Sequence, residues 1–128
     1  MRKMSLAGLV ATVLIACAPP STTRAGRDPN LLTRDEILAS YTTNAYDAVA
    51  KLRPNFLVGR GQNTILGSDT GYPKVYLDHI LFGDLQSLKS IDPMSVREIR
   101  FYNAGAASNR FGLGNASGAI EVISATGN

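Results

Sequence analysis

The stretch NRFGLGNASGAIEVIS, residues 109–124, limits the fold more than any other part of this chain. Gly112, Gly114 and Gly118 follow an apolar segment, as they would in a loop that cradles a nucleotide phosphate. A dinucleotide fold needs a strand, then at once a G-x-G-x-x-G turn, then a helix whose N-terminus meets the phosphate. Here the spacing is G-x-G-x-x-x-G, and the strand before it ends near Tyr102. A β-branched run follows Gly118 instead of a helix, and the sequence leaves no room for a second βαβ half. The expectation is two strands joined by a small-residue loop over residues 104–118. Ala104, Gly105, Ala106, Ala107 and Ser108 carry so little bulk that the backbone is free to lie against another surface. Arg110 and Phe111 add one charge and one aromatic anchor; together with Gly105, Ala107 and the loop residue Tyr72 they form the candidate partner-contact set.

The opening MRKMSLAGLVATVLIAC sets the rest. Arg2 and Lys3 precede an apolar run of roughly ten residues, half the length a membrane-spanning helix requires. That is the pattern of a secretory signal peptide. Leu14, Ile15, Ala16 and Cys17 resemble the lipobox of bacterial lipoproteins. The resemblance implies a signal peptide over residues 1–16, cleavage before Cys17, and lipid on the Cys17 thiol. Cys17 is the sole cysteine, so a lipidated chain has neither a disulfide nor a thiolate nucleophile. Loss of Arg2 and Lys3 brings the 13 basic residues close to the 10 acidic ones, which gives no support for a nucleic-acid partner. About 112 residues remain, enough for one domain with a single core.

Residues 17–30 read as an extended tether, with three prolines and no apolar periodicity. The domain spans residues 31–126. Thr33 and Glu36 fit a capping box at the start of a short helix. Asn44 caps a second helix with an apolar stripe of Ala45, Val49 and Leu52, stopped by Pro54. FLVGRGQNTILG reads as a weak strand pair, and YPKVYLDHILFGD as a stronger strand in which Val75 and Leu77 alternate against Tyr76, Asp78 and Ile80. Asp92 and Pro93 begin one turn of helix that runs into a strand with Ile99 and Phe101. The last strand sets Ala119, Glu121 and Ile123 on one face and Ile120, Val122 and Ser124 on the other. The fold class is α+β: a small mixed sheet of about four to five strands with two to three short helices. The aromatics within these patterns, Tyr41 and Phe82 included, are expected in the core.

The order of these motifs resembles the plug domain of TonB-dependent outer-membrane receptors. Tyr76 and Asp78 stand where that family has V-Y-x-D-G, and Ile91, Pro93 and Val96 where it has a turn of helix. Glu98, Ile99 and Phe101 match the next strand, Phe111–Gly112 replaces the family's Tyr-Gly, and Gly118, Ile120 and Val122 match G-x-G-V-I-x-V. The match covers about residues 31–124. His79 departs from the usual glycine, and Asn103–Gly105 from the usual Lys-Gly-Pro. The chain is also far too short for the barrel that a plug fills, which would take about 22 strands of about ten residues each. No TonB box is evident in the tether. The resemblance implies a plug-like outer-membrane lipoprotein, facing the periplasm, that binds a protein partner or transport substrate, such as a separate barrel. The alternative is a free-standing periplasmic binding or scaffolding module. A catalytic role for His79 beside Asp78 lacks any motif for a nucleophile, and one histidine without a free thiol makes a poor metal site. The expectation is therefore a non-enzyme without cofactors.

Overall fold

A computed structural model describes residues 27–60 and 70–126. Cys17, the signal segment and most of the tether lie outside the described residues, as do residues 61–67 of the expected strand pair. The fold is α+β, built on a five-stranded mixed sheet in the order β1-β4-β5-β2-β3. The strands are β1 (Leu31–Thr33), β2 (Lys74–Leu77), β3 (Ile80–Gly83), β4 (Val96–Tyr102) and β5 (Ala119–Ser124). Only β2 and β5 run parallel; the other neighbours are antiparallel.

The helices are α1 (Arg34–Ala39), α2 (Ala45–Leu52) and α3 (Ala104–Phe111), with 3-10 turns at Pro54–Leu57, Leu85–Ser90 and Pro93–Ser95. Local sequence explains their starts. Thr33 and Glu36 form the reciprocal capping box that begins α1. Asn44 accepts the Asp47 amide at 2.9 Å to begin α2, and Asp92 accepts the Met94 amide at 2.8 Å to begin the last 3-10 turn.

One sheet face carries the main core. Val75, Ile99, Phe101, Ile120 and Val122 pack there against Ile37, Val49, Phe56 and Leu88 from the helices and 3-10 turns. The strand residues expected inside from their alternation are buried there, whereas Leu52 and Leu77, also expected in the core, are only partly buried at its margin. The opposite face is covered by α3, whose buried contacts are Tyr76, Ala107 and Ala119.

The structure corrects five expectations. Leu31–Thr33 is an edge strand paired to β4, and Asn30 already accepts the Phe101 amide at 2.8 Å, so order begins inside the expected tether. Phe56 and Leu57 lie in a 3-10 turn and not in a strand, because Pro54 starts a new turn instead of only ending α2. YPKVYLDHILFGD is a hairpin: the chain reverses at Asp78 and His79, at φ 47° and 72°. A two-residue hairpin takes left-handed residues at both central positions, and the apolar letters on either side hide the break. Residues 104–111 form helix α3, not a loop. Alanine is the best helix former, and Asn103 caps the segment through the Ala106 amide at 2.9 Å. Of the aromatics placed in the core, Tyr41 is 93% exposed and Phe82 43%.

Asp78 ties the hairpin to the end of β5. Its carboxylate accepts the Ser124 amide at 2.9 Å and the Ser124 hydroxyl at 2.8 Å. The backbone hydrogen bond first, then the hydroxyl, holds this carboxyl below the usual range. A depressed folded pKa adds stability that is complete above the unfolded value, about 4, and is lost as pH falls through the folded one. Asp78→Asn keeps a residue that tolerates positive φ but removes that contribution. In urea titrations the variant should lose less stability than the parent between about pH 5 and pH 2.

Candidate functional site

Glu121 lies mid-strand on β5, on the face away from the main core, and its side chain is fully buried. Strand register puts Tyr76 of β2 and Arg100 of β4 beside it. Four polar atoms surround the carboxylate. Tyr102 donates its hydroxyl to Oε2 at 2.8 Å, and Arg110 donates Nε–H to the same oxygen at 3.0 Å. Arg110 also donates from Nη2 to Oε1 at 3.1 Å, and the His79 Nδ1 contacts Oε1 closely. Arg110 Nη2 is 3.0 Å from the same imidazole nitrogen. A guanidinium only donates, so this nitrogen either accepts from Arg110 or, protonated, donates to Glu121. Arg110 and Tyr102 cover Glu121 on the α3 side of the sheet.

Helix α3 delivers Arg110. Ala107 is fully buried against Tyr76 and Ala119, which seats the helix one turn before the arginine. Phe111 stacks on Tyr76 with centroids 3.9 Å apart and an interplanar angle of 14°. The Tyr76 hydroxyl donates to Asn115 Oδ1 at 3.0 Å, and Asn115 Nδ2 returns to the Gly112 carbonyl at 2.9 Å. Arg110 also lies over the Tyr102 and Phe111 rings, at 5.3 and 5.6 Å. Burial, then the hydrogen bond to Glu121, raises the Tyr102 phenol pKa. The Glu121 hydrogen bonds raise that of Arg110, outweighing its own desolvation. Glu121 and Arg110 form an ion pair at 3.0 Å.

Beside this centre is a pocket of about 470 Å³ lined by Tyr76, His79, Arg110 and Phe111. Oε2 of Glu121 receives two donors, and Oε1 receives Arg110 Nη2–H beside the close imidazole, so the carboxylate is poorly placed to take a proton from a substrate. The arrangement is a clamp that holds α3 to the sheet. Among the described residues no group of three or more His, Cys, Asp or Glu side chains is placed to hold a metal.

The five candidate contact residues are not one surface. Arg110 and Phe111 line the pocket, and Gly105 lies exposed on α3. Ala107 is core, because it is the α3 residue that faces the sheet, so its small side chain serves packing within the chain. Tyr72, 50% exposed, lines a separate hollow with Tyr46, Leu57 and Leu85. Sequence reasoning missed Glu121, His79, Tyr102 and Asn115 as a group. One signal was present: a glutamate set within the apolar run of β5, with Arg110 eleven residues upstream.

No family model, curated protein or solved structure matches the chain.

Proposed function

We propose that this chain is a plug-type module of the bacterial envelope, lipid-anchored at Cys17 and facing the periplasm from the outer membrane. In this reading it binds a protein partner or transport substrate, such as a separate barrel, and catalyses no reaction. One observation carries it. The motif residues that resemble receptor plugs lie on neighbouring elements of one sheet: Tyr76 on β2, Glu98, Ile99 and Phe101 on β4, and Ile120 and Val122 on β5. Phe111–Gly112 falls at the end of α3, where a small-residue segment closes onto the sheet. The saturated Glu121 carboxylate favours binding over acid–base chemistry.

The anchor has a direct test. Each buried methylene contributes about 0.8 kcal/mol to membrane binding, so one acyl chain holds marginally and two or more hold firmly. Cys17→Ser is expected to abolish labelling by radioactive fatty acid and to yield unprocessed precursor or a soluble periplasmic form. A Cys17→Ser protein that is still cleaved and still membrane-bound would sink the anchor. Co-purification from gently solubilised outer membrane, read by mass spectrometry, is expected to recover an outer-membrane protein with the parent chain.

A further inference from the structure

Strand β3 is an edge of the sheet among the described residues, four residues long with a register shift that passes over Phe82. Ile80, Leu81 and Phe82 are 73%, 56% and 43% exposed in succession. No charge or proline interrupts them. Leu77 and Ile80 close the two-residue hairpin as a hydrogen-bonded pair, so the antiparallel alternation turns the Leu81 N–H and C=O away from β2, toward the open edge.

A second feature lies beside that edge. A pocket of about 290 Å³ is floored by Leu77, Ile91, Val96 and Val122, walled by Phe82, and rimmed by Asp92. Phe82 lines it, and Ile80 lies on the same face as its cross-strand partner Leu77, which also lines it. An added strand would gain main-chain hydrogen bonds from the edge and a seat for one side chain in the pocket.

Charge decides what that strand is. Asp84 and Asp92 spend their carboxylates as helix caps, on Gln86 and Met94, and neither makes an ion pair among the described residues. Asp78 stands at the other end of β3, with His79 and Arg97 as the cations acting on it. A second copy fits poorly, because its own β3, Ile80–Gly83, carries no basic residue to meet Asp84 and Asp92. We propose that the β3 edge and its pocket bind an extended segment of a different protein, apolar at its centre and basic where it passes Asp84 and Asp92. A probe with a basic residue at each end serves either strand direction. The inference rests on the reading of this chain as a partner-binding module, but not on the lipid anchor.

The test uses a dye-labelled, end-blocked heptapeptide, KTVLFTK, with the purified full chain in detergent. Its counterpart ETVLFTE has the same centre and opposite ends. Fluorescence anisotropy should show the lysine peptide binding at least about tenfold tighter at low salt, with the gap shrinking at about 0.5 M salt as screening sets in. The pair Asp84→Asn and Asp92→Asn retains both caps, since asparagine caps as well as aspartate. It should cut the preference to about twofold or less. Ile80→Thr, which keeps strand propensity, should weaken both peptides. Equal binding of the two peptides, or undiminished binding of a lysine peptide N-methylated at its central amide, overturns the inference. So does sedimentation showing a dimer of the chain that Ile80→Thr dissociates. If an envelope partner co-purifies as strongly with Ile80→Thr as with the parent, the partner-binding reading stands and the β3 site falls. If no partner co-purifies with the parent yet the peptides behave as described, the reverse holds.

Discussion

Gly118→Ala is expected to destabilise the fold by about 3–5 kcal/mol, among the largest effects of any single methyl group in this chain. Gly118 sits at φ 91°, and a Cβ there would lie 2.6 Å from the Tyr102 carbonyl and 3.1 Å from the Phe101 ring. Both neighbours are fixed: the carbonyl belongs to β4 and the ring to the main core. Neither the strained backbone nor the contact has a cheap escape. Gly105→Ala is the contrast. Its Cβ would meet only Asn103 Oδ1, at an ordinary 3.6 Å, on an exposed helical position. That exchange should stabilise by up to about 1 kcal/mol, since glycine in a helix costs that much relative to alanine. Urea unfolding of the two variants checks both signs. A Gly118→Ala cost below about 1 kcal/mol would mean the β4–β5 approach is looser than described.

Arg110→Ala should cost about 2–3 kcal/mol. Removing one partner of a buried ion pair typically costs about 3–5 kcal/mol, because the other charge is left without compensation. The lower figure follows from exposure: the Arg110 side chain is 39% exposed, so its departure lets water reach Glu121. Replacing both partners by apolar groups, Arg110→Met with Glu121→Leu, should recover at least half of the loss, since neither charge then needs solvation. A double-mutant cycle with both singles measures the coupling. If Arg110→Ala costs less than about 0.5 kcal/mol, the guanidinium is an ornament on a carboxylate already satisfied by Tyr102 and His79.

The main core was legible because two-residue alternation is a local signal: Val75, Ile99, Phe101, Ile120 and Val122 each announce one face of a strand. Helix caps were legible for the same reason, since Thr33–Glu36 and Asn44–Asp47 act across three residues. The hairpin at Asp78–His79 was hidden because apolar letters continue on both sides of it, so a single strand fits the pattern as well as two; only His79 read as a turn residue. Helix α3 was hidden because its letters suit close approach as well as helix; only the cap at Asn103 separates the two. The Glu121 centre was out of reach for a different reason. Its partners come from a hairpin turn, β4 and α3, and no local pattern says that three such places converge.

The strand order has a kinetic consequence. β5 lies between β4 and β2, and its parallel pairing joins Lys74 to Ala119, across forty-five positions of chain. Until β5 emerges, β1 has only β4 and β3 has only β2, so the sheet exists as two separate ribbons. Neither ribbon has enough strands to be stable alone. Pairings that distant are slow, since loop closure is paid before any contact returns it. A ribosome-bound chain lacking β5 is therefore held open, and the sheet assembles only once its middle strand arrives.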